Sequence, residues 1–199
     1  MITPEQERAF YDRQYDAFLS LPDHALRIDR AVLEKNLDDP AHPFFERRRL
    51  YRAAIAALLE DPLPGRRVLD YGCGWGILAI AAARLGAGRV VAVDLDENAL
   101  TATHANAEAN RVDIETLPTS TPLTETFDLV LANILAVPLC RLAPLLGARL
   151  THDGGQIALS GILSDQADVV RAAYLPWAAL EVTDMEEGWV LLAGPTRAT

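Results

Sequence analysis

The sequence has few of the features that mark secreted, zinc-binding or membrane proteins. It contains only two cysteines, Cys73 and Cys140, which cannot form a disulfide framework, and no CxxC or His/Cys cluster suggests a zinc site. No apolar run approaches the length of a membrane span, and the polar, acidic N-terminus does not resemble a signal peptide. The composition therefore predicts a cytoplasmic protein with neither a metal site nor a membrane partner.

Positive charge is also scarce. The chain has 18 Lys and Arg residues against 28 Asp and Glu residues, and its formal net charge is −10. Binding to nucleic acid through phosphates requires a basic patch, so no nucleic-acid partner is expected. Half of the 199 residues are hydrophobic, which is enough to build one α/β domain with a sizeable core.

A glycine-rich stretch stands out among the features that are present. A short apolar strand ends near Asp70, glycines follow at positions 72, 74 and 76, and apolar residues then recur at helical spacing from Ile77. Glycine lacks Cβ, so a ligand can approach the backbone of such a loop. The N-terminus of the following helix points its free N–H groups at the same place. The stretch predicts a cofactor-binding loop.

The spacing of the glycines narrows the kind of cofactor. The dinucleotide fingerprint is G-x-G-x-x-G, whereas Gly76 here follows Gly74 by two positions. Asp70 directly precedes the loop, and a carboxylate at that place would repel a pyrophosphate but attract an ammonium or a sulfonium. A positively charged ligand group is therefore favoured over a dinucleotide.

Beyond this loop the chain alternates between strand and helix patterns, which predicts a parallel sheet with helices on both faces. The tight connection between the last two strands predicts that the seventh runs antiparallel to the sixth. Residues 1–62 are predicted to form an N-terminal helical cap or lid, and residues 63–199 the ligand-binding domain. The predicted strands are 68–70, 89–94, 113–117, 127–133, 156–160, 178–184 and 189–193, and the predicted helices begin at 77 or span 99–110, 138–150 and 165–174.

Polar residues end three of these strands, at the sheet edge where ligands of such folds bind. They are Asp70, Asp94 and Asn133. A carboxylate at the end of the second strand is the usual partner of ribose hydroxyls, because it can accept from both. Asp94 could instead cap the following helix, and Asn133 could cap the end of its own strand, so both alternatives remain open.

Several motifs together resemble a known family. Asp-x-Gly-x-Gly-x-Gly after a strand resembles motif I of the class I S-adenosylmethionine methyltransferases. Three later segments, 132–139, 142–145 and 159–167, resemble the ribosomal protein L11 methyltransferase (PrmA) family, and the likeness runs from about Val68 to Gly194. The resemblance implies a Rossmann-like, seven-stranded, mostly parallel sheet with an antiparallel last strand. It also implies S-adenosylmethionine as the cofactor and a protein amine, lysine or N-terminal, as the methyl acceptor.

The resemblance also implies which residues form the site. Asn133 would be the catalytic residue, its amide oxygen accepting from the acceptor amine and aiming the nitrogen lone pair at the methyl group. Ile134 and Leu135 would complete the acceptor site. The expected cofactor contacts are Asp70, Gly72, Cys73, Gly74, Gly76, Asp94, Leu95, Leu117 and Asn133, with Leu95 and Leu117 beside the adenine.

Two points stay open within this interpretation. Tyr11 and Tyr15 lie on one face of the first predicted helix, where they either pack on the core or close the acceptor pocket as part of a lid. The family's N-terminal recognition domain is expected to be replaced by the short helical segment. A small metabolite is therefore an alternative acceptor, and a non-catalytic subunit that binds a partner is a third possibility.

Overall fold

The structure, a computed structural model, describes residues 63–186 and 188–197. Tyr11 and Tyr15, with the rest of the predicted lid at residues 1–62, lie outside the described residues. The described part contains seven strands and four α-helices in alternation, together with a short 3-10 helix before the last α-helix. In chain order they are β1 Arg67–Tyr71, α1 Ile77–Arg84, β2 Arg89–Asp94, α2 Glu97–Asn110, β3 Glu115–Pro118, β4 Leu129–Asn133, α3 Ala136–Gly147, β5 Gln156–Leu163, the 3-10 helix Ser164–Gln166, α4 Ala167–Tyr174, β6 Glu181–Glu186 and β7 Trp189–Pro195.

The strands form one sheet in the order β3-β2-β1-β4-β5-β7-β6. Neighbouring strands from β3 to β5 are parallel, and β7 runs antiparallel to both β5 and β6. The predicted sheet, with its reversed seventh strand, is therefore confirmed. The chain builds outward from β1 to β3 and then crosses back to β4, so a topological switch point lies between β1 and β4.

The helices cover the two faces of the sheet. α1 packs against β1 and β2, and α2 against β2 and β3. On the other face, α3 and α4 share a core with alternate residues of β1 and β2, such as Leu69 and Val91. The Tyr174 hydroxyl in this core donates to the carbonyl of Leu139 at 3.1 Å, so its polar end is satisfied where no water reaches it. Burial on both faces explains why these strands read as continuous apolar runs.

Several element boundaries differ from the prediction. α3 begins at Ala136, two residues before Pro138, because a proline in the first helical turn lacks only an N–H that has no partner there. β5 continues past Gly161 to Leu163, since Ile162 and Leu163 pair with β7. β4 and β6 begin later than predicted, at Leu129 and Glu181. In the described residues, no helix combines the length and the apolar character that crossing a bilayer requires.

Arg111, which follows α2, is the non-glycine residue with a positive φ in the described part of the chain, at 55°. This left-handed conformation costs a residue with a side chain about 1–2 kcal/mol, a cost that glycine avoids. Part of the advantage of glycine is lost, because glycine also makes the unfolded chain more flexible. We expect Arg111→Gly to raise the free energy of unfolding by up to about 1 kcal/mol in urea titrations. Arg141→Gly, the same change inside α3, is the control and is expected to lower that free energy by about 1 kcal/mol. Equal losses in both variants would contradict the prediction.

Candidate active site

The loop between β1 and α1 carries three glycines in the left-handed region, with φ values of 77° at Gly72, 55° at Gly74 and 80° at Gly76. Residues with Cβ avoid this region, so the glycines allow the tight path of the loop. The N–H groups of Gly72 and Cys73 donate to the carbonyl of Val93 at 2.7 and 3.1 Å, which ties the loop to the end of β2. A Cβ on Gly74 would meet no atom within 4 Å, so the backbone at that glycine is open to a ligand.

Asp70 lies beneath this loop and is only 1% exposed. Its Oδ2 accepts from the N–H of Ala79, the third residue of α1, at 3.0 Å. Gly76, at the N-cap of α1, has no side chain for that task, so Asp70 caps the helix from the neighbouring strand. Its Oδ1 is buried and has no hydrogen-bond partner among the described residues. Burial, together with a smaller effect of the charge of Asp94, raises the pKa of Asp70 to about 7, although the hydrogen bond from Ala79 acts in the opposite direction.

Asp94 ends β2 and joins two segments of the site. Its Oδ2 accepts from the N–H of Gly74 at 2.8 Å, and its Oδ1 accepts from the N–H of Asp96 at 3.0 Å. The alternative in which Asp94 caps α2 is wrong, because Asp96 is the N-cap and accepts from the N–H of Asn98 at 2.9 Å. Each carboxylate oxygen can accept more than one hydrogen bond, so Asp94 retains capacity for a ligand hydroxyl.

The predicted adenine contacts differ in their exposure. Leu95 follows Asp94 directly and is 83% exposed, the highest value among the large apolar side chains described. Leu117 pairs with Val93 in the sheet and is partly buried against the core. An apolar side chain in the position of Leu95 is available to cover a flat ligand ring at the edge of the sheet.

Two polar residues of α2 support the loop, and sequence reasoning missed both. The Thr103 hydroxyl donates to the carbonyl of Gly74 at 2.9 Å, and the Asn106 side-chain amide donates to the carbonyl of Trp75 at 3.0 Å. Both residues are buried. Positions 103, 106 and 110 share one helix face, and Asn110 is buried there as well. Polar residues at helical spacing between alanines were the signal that could have identified this face.

Cys73 and Gly76 also contact α2 through Thr103. The Cys73 sulfur lies 3.5 Å from the Thr103 hydroxyl oxygen, and burial raises the pKa of the thiol well above its usual range. A neutral, buried thiol fills space in the loop and does not act as a nucleophile. A Cβ on Gly76 would lie 2.6 Å from the Thr103 methyl group, so glycine is required for α2 to approach the loop this closely.

Asn133 ends β4 beside Ser160 of β5, and its side chain is half-buried. Its amide makes no hydrogen bond to any residue in the described ranges, which argues against the alternative that it caps the strand. Ile134, the next residue, packs its Cγ2 into the space that a Cβ on Gly72 would occupy. Leu135 follows as the N-cap residue of α3 and is half-buried. The structure therefore brings the predicted acceptor segment into contact with the predicted cofactor loop.

Comparison with known proteins identifies the fold and the family. A ribosomal protein L11 methylase from Lactobacillus delbrueckii subsp. bulgaricus is 34% identical, with a TM-score of 0.67 over 76% of this chain and 78% of that chain. A Thermus thermophilus 16S rRNA methyltransferase, RsmC, shares the fold at 22% identity, with a TM-score of 0.62 over 74% of this chain and 42% of its own. The fold is that of the class I methyltransferases.

The family follows from the sequence. The model of the ribosomal protein L11 methyltransferase (PrmA) family matches residues 52–197, and the chain belongs to this family. The ribosomal protein L11 methyltransferase of Cupriavidus necator is 52% identical over 143 residues, which are 72% of this chain and 47% of that protein. The one from Dechloromonas aromatica is 54% identical over 127 residues, 64% of this chain and 43% of that protein. The chain thus spans about half the length of the relatives it matches.

The support that α2 gives to the loop can be tested with Thr103→Val. Valine keeps the shape of threonine but removes the hydroxyl that donates to the half-buried carbonyl of Gly74, which costs about 1–3 kcal/mol. We expect urea titrations to show a loss of that size in the free energy of unfolding. Thr101→Val is the control, because Thr101 is exposed and its hydroxyl bonds only within α2; its effect should stay within about 0.5 kcal/mol. If the Thr103→Val protein is as stable as the Thr101→Val protein, the hydrogen bond from Thr103 to Gly74 does not stabilise the fold.

The burial of Asp70 predicts that stability falls as the pH rises. Because the pKa is raised from 3.8 to about 7 on folding, the folded protein holds a proton that the unfolded chain has released between these values. The contribution of Asp70 to the free energy of unfolding should therefore fall by about 2–3 kcal/mol between pH 5 and pH 8. Asp70→Asn keeps an acceptor for Ala79 but cannot ionise, so the fall should be smaller by that amount.

Urea titrations of the wild type and Asp70→Asn at both pH values measure this difference. Asp153→Asn changes an exposed carboxylate in the turn before β5 and serves as the control. It should show the same pH dependence as the wild type. If Asp70→Asn also follows the wild type, the carboxyl of Asp70 does not titrate in this range.

Proposed function

We propose that this chain is an S-adenosylmethionine-dependent N-methyltransferase whose acceptor is an amine of a ribosomal protein. The observation that carries the proposal is the Asn133 amide, which has no partner among the described residues and is joined through Ile134 to the glycine loop. The names of the 52% and 54% identical relatives support the acceptor class. The formal net charge of −10 favours a basic acceptor protein over nucleic acid or an anionic membrane surface.

The residues of the described site fit the proposed cofactor. Gly72, Gly74 and Gly76 would hold the methionine part against an open backbone, and Asp94 would accept from the ribose hydroxyls. Leu95 and Leu117 would flank the adenine. The buried Oδ1 of Asp70, which has no partner in the described part of the chain, supplies negative charge beneath the loop once ionised. When bound, S-adenosylmethionine supplies a methyl group on a positively charged sulfur.

Asn133 contributes alignment to the proposed reaction. Its amide oxygen would accept from an N–H of the neutral acceptor amine and direct the nitrogen lone pair at the methyl carbon. With the lone pair so directed, the cofactor would supply the methyl carbon: a C–N bond would replace the C–S bond, whose electron pair would stay on sulfur, and the excess proton of the methylated amine would leave to solvent. A reaction at such a good electrophile depends mainly on proximity and orientation, so no strong base is required from the chain.

The remaining parts of the proposal concern organisation and location. The division proposed from the sequence places the methyltransferase domain at residues 63–199, after a segment 1–62 of helical sequence pattern that contains Tyr11 and Tyr15. The reaction takes place in the cytoplasm. The sequence features that support these points are the helical pattern before residue 62, the scarcity of cysteine and the absence of long apolar runs.

Calorimetry followed by a transfer assay tests the proposal. Titration with S-adenosylmethionine and with its demethylated product should show binding of both, and absence of binding would overturn the proposal. Labelled methyl groups should then pass to the protein fraction of a cell extract, and acid hydrolysis should release methylated lysine or a methylated N-terminal residue. Label found only in the small-molecule fraction would replace the protein acceptor by a metabolite. Binding without any transfer would leave the non-catalytic alternative.

Substitution of Asp94 and Asn133, the polar residues that end β2 and β4, should separate cofactor binding from methyl transfer. Asp94→Ala removes the ribose acceptor and the bond to Gly74, and should weaken S-adenosylmethionine binding about ten- to a hundredfold. Asn133→Ala should leave the dissociation constant within about twofold and slow transfer about a hundredfold. Asp113→Ala, an exposed loop residue, is the control for both measurements. Unchanged turnover in Asn133→Ala would remove Asn133 from its proposed role.

A further inference from the structure

The segment Asn133–Ile134 lies between two glycines from distant parts of the chain. On one side, the Ile134 side chain occupies the space beside Gly72 of the cofactor loop. On the other side, Gly161 of β5 lies against the Ile134 backbone: a Cβ there would be 2.6 Å from the Ile134 carbonyl oxygen and 2.9 Å from its carbon. The same Cβ would be 3.2 Å from Oδ1 of Asn133.

Gly161 also has the backbone of a strand irregularity. Its φ is +82°, and the register between β5 and β7 shifts between Leu159 and Ile162. A glycine in the left-handed conformation is typical of a β-bulge, where one extra residue bends the strand. The bend occurs directly after Ser160, the register partner of Asn133. β5 therefore turns its backbone, with no side chain, toward the end of β4.

Packing has to set the direction of the Asn133 amide, because no hydrogen bond from the described residues does so. A Cβ on Gly161 would lie 3.2 Å from its Oδ1, and glycine leaves that space open. We infer that Gly161 is a positioning residue for methyl transfer: it leaves the space in which the end of β4 and the Asn133 oxygen take the orientation that the acceptor amine requires. This inference rests on the proposed function, in which Asn133 accepts from that amine.

The size of the expected effect follows from the distances. A Cβ at 2.6 Å from the Ile134 oxygen must push the end of β4 away by roughly 0.5–1 Å to reach ordinary contact. Misplacement by about 1 Å can slow an aligned reaction about a hundredfold. Gly161→Ala should therefore lower kcat about ten- to a hundredfold, with the dissociation constant of S-adenosylmethionine within about threefold of the wild type.

Gly154→Ala is a matched control. Gly154 has a φ of +73°, close to that of Gly161, but a Cβ there would meet nothing within 4 Å. It lies in the turn before β5, at the end of that strand away from Asn133. Alanine is thus similarly strained at both positions, and only alanine at 161 presses on the acceptor segment. Gly154→Ala should keep the kcat of the wild type. If Gly161→Ala matches Gly154→Ala in kcat, the inference is overturned.

A double-mutant cycle tests whether Gly161 acts through Asn133. Adding Gly161→Ala to Asn133→Ala should lower kcat by less than threefold, since the group that it misplaces is already absent. A further loss as large as in the wild-type background would show that Gly161 acts elsewhere and would overturn the inference.

A third variant covers the case in which Gly161→Ala does not fold. Asparagine adopts the left-handed conformation more readily than alanine and still carries a Cβ, so Gly161→Asn keeps the contact with less strain. It should also lose at least tenfold in kcat while binding S-adenosylmethionine, and a fully active Gly161→Asn would overturn the inference. If the wild type itself transfers no methyl group, the proposed function fails. If the wild type transfers and the Gly161 variants transfer equally well, only the positioning role fails.

Discussion

The backbone of the glycine loop has to find its hydrogen bonds outside regular secondary structure, and this requirement links most of the site. A buried N–H or carbonyl without a partner costs about 1–3 kcal/mol, so such groups are almost always paired. For Gly74 and Trp75 the partners are side chains from two other elements. Asp94 at the end of β2 accepts from Gly74, while Thr103 and Asn106 of α2 donate to the carbonyls of Gly74 and Trp75.

The sheet topology makes this arrangement possible. Because β2 and β1 are parallel neighbours, the C-terminal end of β2 and the loop after β1 lie at one edge of the sheet. α2 then passes close to the loop, since Gly76 has no side chain and Thr103 fits beside it. On the other side of β1, the end of β4 meets the same loop through Ile134 and Gly72. One loop thus contacts both the predicted cofactor residues and the predicted acceptor residues.

The sequence contained most of the information on the fold but only part of that on the site. Alternating apolar strands and helices, and the tight turn before β7, have local patterns that predict the sheet. The glycine spacing, Asp94 and Asn133 were likewise readable, because each follows directly on an apolar strand. Thr103 and Asn106 could not be assigned to the loop, because their partners are carbonyls of residues about 30 positions earlier in the chain. Gly161 was hidden for a similar reason: its contact depends on how β5 bends beside β4.

Asp70 has a structural role in addition to the ligand contact predicted for it. Its position before the loop suggested attraction to a positively charged ligand, and the structure adds a cap on α1 through Ala79. The two roles use different oxygens, since Oδ2 accepts from Ala79 and Oδ1 has no partner among the described residues. These separate roles of the two oxygens are visible only in the three-dimensional structure. Asp70 and Ala79 are nine positions apart, which is farther than the residues of a local capping motif.

The bond between Asp94 and Gly74 has a consequence for the energetics of ligand capture. Both partners belong to the same chain, so the bond forms when the protein folds, and the loop loses its conformational freedom at that stage. A small molecule that binds to an already ordered loop does not have to supply the free energy of ordering it. Its affinity then depends on its own contacts, and its rate of association is not limited by rearrangement of the loop.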